Sequence, residues 1–215
     1  MEMTQTRKIA SGIYLVVDPA MEEKALLRKL EVVLEEELAA VQLWDNFYAG
    51  QKVYGLIQKI VHLCHAKEVP VLINNQWEFL LDTALDGVHF DAIPDDFAAI
   101  KKAVHRPFLT GLTCGNDEAL IIWAHEKQLD YISFCSVFPS ATSTSCELVT
   151  FESITRAKKI SSMPVFLAGG IKPDNLPLLA GLEYDGVAVI SGIMNADNPS
   201  ASVKEYLRRL PKNNP

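Results

Sequence analysis

Eight short apolar runs, each followed by a stretch that reads as helix, constrain this chain more than any other feature. The runs are Ile13 to Asp18, Ala39 to Trp44, Val71 to Asn74, Gly87 to Phe90, Phe108 to Thr113, Asp130 to Phe134, Pro164 to Ala168 and Gly186 to Ile190. They are near-continuously apolar, the pattern of parallel strands covered on both faces. Between them the spacing predicts helices over Met21 to Glu36, Gly50 to Ala66, Trp77 to Ala84 and Asp95 to Val104. Further helices are expected from an Asn116 cap to Gln128, from a Thr150 cap to Ile160, near Asn175 to Gly181, and from Ser200 to Leu210. Strict alternation of strand and helix argues a parallel sheet, and eight strands close a barrel. The expectation is therefore α/β, a single (β/α)8 TIM barrel, with residues 1–215 forming one domain. The 215 residues lie near the lower end of the roughly 200–250 usual for this architecture.

Bulk properties narrow the function. A 49% hydrophobic and 22% charged composition supports a sizeable core and excludes wholesale disorder. The net charge of −7 argues against a nucleic-acid partner, which needs a basic face. No apolar run reaches a membrane span, and residues 1–10 lack a signal-peptide core, so no membrane partner and a cytoplasmic location are expected. A homo-oligomer stays open. The four cysteines, Cys64, Cys114, Cys135 and Cys146, form no CxxC pair and read as reduced thiols. Cys64 belongs to a helix core. Cys114 and Cys135 fall at strand ends and are expected to face the site, but neither has a base paired with it in the sequence.

In such a barrel the chemistry sits at the C-terminal ends of the strands. Here those ends carry Asp18, Gln42, Trp44, Asn46, Asn74, Asn75, His89, Asp91, Thr113, Cys114, Cys135 and Ser136. The set is polar, but it holds no lysine or arginine. The last two strands end in Gly169-Gly170 and Ser191-Gly192. Paired glycine ends late in a β/α chain suit a phosphate held by backbone N–H groups. The plainer reading is a pair of structural turns, which any α/β protein contains.

The order and spacing of several short words identify a resemblance. They are Tyr14-Leu15-Val16-Val17-Asp18, Val41-Gln42-Leu43, Leu72-Ile73-Asn74, Asp86-Gly87-Val88-His89, Gly111-Leu112-Thr113, Asp130-Tyr131-Ile132, Val137-Phe138-Pro139-Ser140, Gly169-Gly170-Ile171 and Gly186-Val187-Ala188-Val189-Ile190-Ser191. Together they resemble the thiamine-phosphate synthase / TenI family. The resemblance implies a transferase of thiamine biosynthesis that joins a pyrimidine pyrophosphate to a thiazole phosphate with loss of pyrophosphate, using Mg2+. It implies a small-molecule partner, a phosphorylated heterocycle. It implies catalytic positions at Gln42, Asn74 and Thr113, and a phosphate site at Gly169, Gly170, Ser191 and Gly192. Substrate-binding positions follow at Tyr14, Trp44, Asn46, His89, Ser140, Thr142 and Ile190.

The departures are concentrated at one end of that site. The family continues its second strand Gln-Leu-Arg, then an acid, then Lys; this chain has Gln42-Leu43-Trp44-Asp45-Asn46. The family's magnesium Asp after strand three is Asn75 here, and a second falls on Pro94, leaving Asp91 or Asp95 as stand-ins. The long loop keeps the hydroxyls of Ser140 and Thr142 and has Ser143 in place of a lysine. The TenI base, a His after strand five, is absent from Thr113-Cys114-Gly115. Trp44 either fills the volume of the missing arginine or stacks on a ring. His89, on a strand where the family has His generally, is expected to be structural rather than a base. Two classes stay open: an enzyme, synthase-like with reduced or lost activity or TenI-like, and a non-catalytic binder of thiazole phosphate or thiamine phosphate. Loss of two cations and a metal carboxylate from a leaving-group site predicts a large loss of transition-state stabilisation.

Overall fold

A computed structural model describes residues 7–139 and 147–210. Eight parallel strands close on themselves in sequence order: β1 (Gly12–Val17), β2 (Ala40–Leu43), β3 (Val71–Asn74), β4 (Gly87–Phe90), β5 (Leu109–Thr113), β6 (Tyr131–Phe134), β7 (Val165–Ala168) and β8 (Gly186–Val189). The last strand returns to the first in register, Gly12 beside Gly186 and Leu15 beside Val189. The expected (β/α)8 barrel is present.

Around the strands lie α1 (Glu23–Val33), α2 (Val53–His65), α3 (Phe97–Val104), α4 (Glu118–Glu126), α5 (Phe151–Ile160), a single turn α6 (Ser191–Met194) and α7 (Pro199–Arg209). Their starts have local causes. The Glu22 carboxylate accepts from the N–H of Lys24 and Ala25, the Asp96 carboxylate from Ala99, and the Thr150 hydroxyl from Ser153. Each satisfies a donor that the first helical turn leaves orphaned. Behind these caps, residues at helical spacing, such as Leu26, Leu30 and Val33 in α1, are buried against the strands.

Two expected helices are absent. Trp77–Leu80 and Leu176–Leu179 are single 3-10 turns. Their apolar composition anchors a short connection to the core, with Leu80, Leu176 and Leu179 buried, but too few residues follow for a full helix. Asn116 also differs from expectation. The cap of α4 is Asp117, which accepts from the N–H of Ala119. The Asn116 side chain reaches instead to residues 148–153, donating to the Leu148 carbonyl and accepting from the Thr150 N–H and the Ser153 hydroxyl.

The interior closes by pairing large side chains with small neighbours. Tyr14 lies beside Ala40 and Ala188, Leu72 beside Gly87, Tyr131 beside Gly111 and Phe166 beside Gly186. A Cβ on Gly111 would stand 2.1 Å from Cζ of Tyr131, and one on Gly186 would stand 2.6 Å from Cε1 of Phe166. The glycines therefore give the aromatic rings their room. Tyr14, Tyr131 and Phe166 meet at centroid distances of 5.4–5.7 Å.

At the opposite, N-terminal end, three aspartates stitch neighbouring strands. Asp86, Asp130 and Asp185 each immediately precede or stand one residue before an even-numbered strand. Each accepts from a backbone N–H at the start of the strand before it: Val71 at 2.8 Å, Thr110 at 2.7 Å and Val165 at 2.8 Å. Asp86 also meets His65 and Arg7, and Asp185 meets Lys158. These partners and the Val71 N–H outweigh burial and hold the Asp86 carboxyl below its ordinary range.

Gly111→Ala is expected to destabilise the fold by about 1–3 kcal/mol, the usual cost of overpacking. Tyr131→Ala in the same chain should make the added methyl nearly free. Urea unfolding of the single and double variants measures the coupling, and additive losses would refute the pairing.

Candidate active site

At the C-terminal mouth of the barrel, six strands, β1 to β6, contribute to one continuous chain of polar contacts. Tyr14 on β1 donates its hydroxyl to Oε1 of Gln42 on β2, at 2.8 Å. Nε2 of Gln42 donates to Oδ1 of Asn74 on β3. Nδ2 of Asn74 donates to the Asp91 carboxylate at 2.9 Å. In the other direction the Tyr14 hydroxyl meets that of Tyr131 at 2.8 Å, and Tyr131 meets Nδ1 of His89 at 2.9 Å. Nε2 of His89 faces the Thr113 hydroxyl at 2.9 Å, and Thr113 meets Ser133 at 3.1 Å.

Burial explains why these groups pair so completely. Gln42, Asn74, His89 and Ser133 are all buried, and a buried polar group without a partner costs free energy comparable to a lost hydrogen bond. Among the described residues no buried side-chain nitrogen or oxygen lacks a partner. Burial also pushes the Tyr14 and Tyr131 phenols up and lowers His89 to about 4, against an attraction from Asp91 that would raise it. His89 is thus a neutral imidazole at pH 7, bonded at both nitrogens, in keeping with a structural rather than a basic role.

The sequence-selected residues divide by position. Gln42, Asn74, Thr113, Tyr14 and His89 are brought together in the chain just described. Trp44 packs, half-buried, against the inner cluster containing Tyr14, Tyr131 and Phe166, as does Ile190. Asn46 is exposed and donates to Asp18 at 3.1 Å. Asp95 is apart from the site, in a surface groove with Phe97, Trp123 and Lys127. Ser140, Thr142, Ser143 and Cys146 lie outside the described residues. Cys114 does not face the mouth. It is buried in the layer between strands and helices, where desolvation pushes its thiol up to about 12. Its burial away from the mouth argues against a nucleophilic role for Cys114.

Tyr131, Ser133 and Asp45 were not singled out from sequence. The first two follow from alternation: Tyr131 and Ser133 are two apart on β6 and share its inner face. Their polarity inside an otherwise apolar run is the signal that could have found them.

The glycine corner is also set by packing. Gly169 and Gly170 adopt φ of 86° and 65°, a region that disfavours any side chain. A Cβ on Gly170 would lie 2.5 Å from the Pro139 carbonyl oxygen, and one on Gly169 would lie 2.3 Å from Oγ of Ser136. The space a side chain would take is filled by the segment after β6 rather than left for a ligand. Gly192 is excluded from carrying a side chain by the Tyr206 hydroxyl, 2.3 Å from its would-be Cβ. Ser191 and Gly192 open the helical turn α6 rather than a free glycine turn. Among the described residues, none of the recorded backbone hydrogen bonds uses the N–H of Gly169, Gly170, Ser191 or Gly192 as donor.

The magnesium implied by resemblance does not fit the residues present. Nδ2 of Asn75 donates to the Asp45 carboxylate and to the Asp91 carboxylate, both at 2.9 Å, and Oδ1 of Asn75 accepts from the Asp91 N–H. An amide NH2 stands where two carboxylates would otherwise converge on a cation. Magnesium gives up water for hard anionic oxygens, which a neutral amide does not supply. Among the described residues no three His, Cys, Asp or Glu side chains converge as a metal site.

The stability of the protein should fall as pH drops from about 6.5 toward 4. His89 has a lower folded than unfolded affinity for protons, so its contribution is complete above the unfolded value and is lost as pH falls through the folded one. From the shift to about 4 that contribution is on the order of 3 kcal/mol at 1.36 kcal/mol per unit. Urea midpoints between pH 4 and 8 should show a shallower acid slope for His89→Gln; equal slopes would exclude His89 as a source.

Comparison with known proteins gives a consistent result. A family profile described as thiamine monophosphate synthase matches residues 13–193. The thiamine-phosphate synthase of Aromatoleum aromaticum is 27% identical over 195 residues, covering 91% of this chain and 94% of that protein. That of Azoarcus sp. is 29% identical, covering 91% and 95%. Among solved structures, thiamine phosphate pyrophosphorylase from Pyrococcus furiosus superposes with a TM-score of 0.78 at 22% identity, covering 94% of this chain and 95% of that one. At that identity the likeness speaks for the fold.

Proposed function

The chain belongs to the thiamine monophosphate synthase family, and from that premise we propose that it is a thiamine-phosphate synthase-like protein of thiamine biosynthesis. The reaction is the joining of a pyrimidine pyrophosphate to a thiazole phosphate with release of pyrophosphate. The observation that carries this reading is the profile match from β1 through Ile193. It spans the strands that supply Gln42, Asn74, His89 and Thr113. The thiazole phosphate is assigned to the corner of Gly169, Gly170, Ser191 and Gly192, whose N–H groups suit an anion. Gln42, Asn74 and Thr113 line the mouth for the heterocycles, with Tyr14, Trp44 and Ile190 as apolar walls. The phosphorylated heterocycle is the partner, in the cytoplasm.

The rate of that reaction is reduced or absent. Departure of pyrophosphate concentrates negative charge, and catalysis of it needs cationic groups aimed at that charge. Trp44, Asn46 and Asn75 bring none. A second reading, a non-catalytic binder of thiazole phosphate or thiamine phosphate, is favoured by one observation: Asn75 bonded to both Asp45 and Asp91. In either reading the phosphate corner keeps its role.

Two measurements test this. A coupled assay for thiamine phosphate, with a full-motif synthase as control, should show turnover far below the control; a comparable rate would overturn the reduced-activity reading. In a thermal-shift titration, thiazole phosphate should raise the melting temperature, since ligand at about 100 times its dissociation constant stabilises by about 2.7 kcal/mol. Ser191→Asp, which places a carboxylate at the anion corner, should weaken that binding roughly tenfold or more without lowering the ligand-free melting temperature. Unchanged affinity would move the phosphate elsewhere.

A further inference from the structure

The polar chain across the barrel has a direction, and that direction is imposed from one end. An ionised carboxylate only accepts hydrogen bonds. Oδ2 of Asp91 therefore requires an N–H from Asn74, which fixes the Asn74 amide with Oδ1 toward Gln42. Oδ1 in turn requires an N–H from Gln42, which turns Oε1 of Gln42 toward Tyr14. Oε1 accepts the one proton of the Tyr14 hydroxyl. Tyr14 then has only a lone pair to offer Tyr131, so Tyr131 donates its own single proton to Tyr14. Tyr131 likewise has only a lone pair left for His89, and Nδ1 of His89 must carry the proton between them. A neutral imidazole protonated at Nδ1 is an acceptor at Nε2, where the Thr113 hydroxyl lies at 2.9 Å.

We propose that Asp91 and Tyr131 are positioning residues that hold His89 as its Nδ1–H tautomer, so that Thr113 spends its hydroxyl proton on Nε2 of His89. Thr113 then meets a ligand at the barrel mouth as an acceptor, and the group it recognises is an N–H or O–H donor on that ligand. The exposed Asp91 acts on a buried imidazole only through the intervening side chains. Those side chains have their alternatives removed by burial, since any amide reversed against the sequence would leave a carbonyl oxygen facing a carboxylate or two donors facing each other. The ring of Tyr131 reaches His89, stacked at a centroid distance of 5.5 Å, because Gly111 leaves it room. The inference concerns the site assigned above but not the identity of its ligand, so it can be tested whether or not the protein turns over substrate.

The test is a long-range 1H–15N spectrum of the full chain with 15N-labelled histidine at pH 7.5, where burial keeps His89 neutral. His89 is assigned by the signals missing from His89→Gln. The wild-type ring should show its proton on Nδ1 and an unprotonated Nε2. In Tyr131→Phe, which keeps the ring but removes the acceptor of that proton, the tautomer should move to Nε2–H. In Asp91→Asn the new amide can both donate and accept, both directions of the chain become available, and the signals should move toward a mixture. A merely structural role for Asp91, remote on the exposed rim, would leave the His89 nitrogens unmoved. A wild-type proton on Nε2, or an Asp91→Asn spectrum identical to wild type, overturns the proposal. The wild-type spectrum decides the tautomer even if either variant fails to fold.

Discussion

The barrel closes because its large interior side chains stand beside glycine or alanine across the strand ladder. Eight strands enclose space for only a few rings, and Tyr14, Tyr131 and Phe166 fill it. Their neighbours Ala40, Ala188, Gly111 and Gly186 are not free to grow, since close-packed interiors tolerate little added volume. The same arrangement determines the chemistry. With Gly111 vacating its face of β5, the Tyr131 hydroxyl arrives at the barrel axis between Tyr14 and His89. Apolar packing below and polar pairing above are therefore one design: the rings that complete the core carry the hydroxyls that begin the site.

The mouth is uneven in what it keeps. The side of β1 through β6 holds a satisfied polar network that ends on the Asp91 carboxylate, and at the ends of β7 and β8 no recorded backbone bond uses the N–H of Gly169, Gly170, Ser191 or Gly192. Between β2 and β4, where the family pattern calls for cationic groups and a metal on the leaving group, the chain instead bridges two carboxylates with the neutral amide of Asn75. Asn75 is held there in a left-handed backbone conformation, φ 52°, which asparagine tolerates better than most residues. A membership in the synthase family and a site short of its cations are compatible once binding and leaving-group activation are treated as separate tasks of separate strand ends.

Much of this was legible in the residues. The eight strands were found within about a residue at each end, because each is a short apolar run between polar punctuation. Gln42, Asn74, His89 and Thr113 were found because polar residues at the end of an apolar strand have few reasons to be there. The failures have physical causes. Trp77–Leu80 and Leu176–Leu179 read as helices because apolar content marks burial without marking length. Cys114 was read toward the mouth, but one residue past a strand end the side chain turns to the other face. The packing of Gly170 against Phe138 and Pro139 was not legible, because it depends on where the chain after β6 returns. Tyr131 was passed over because it opens its strand, and a hydroxyl's reach across a barrel is a matter of ring length rather than of strand position.

The three aspartates at the base of the barrel divide it in a way the closed sheet does not reveal. Strands β3 and β4, β5 and β6, and β7 and β8 are each joined by a carboxylate that captures a main-chain amide hydrogen. At the same end the β1–β2 boundary has no such carboxylate among the described residues and is bridged by the main-chain bond from the Ala39 N–H to the Ile13 carbonyl. Fastened in this way, the base of the molecule is three carboxylate-stitched strand pairs and one pair, β1 and β2, whose side-chain link lies instead at the mouth, between Tyr14 and Gln42.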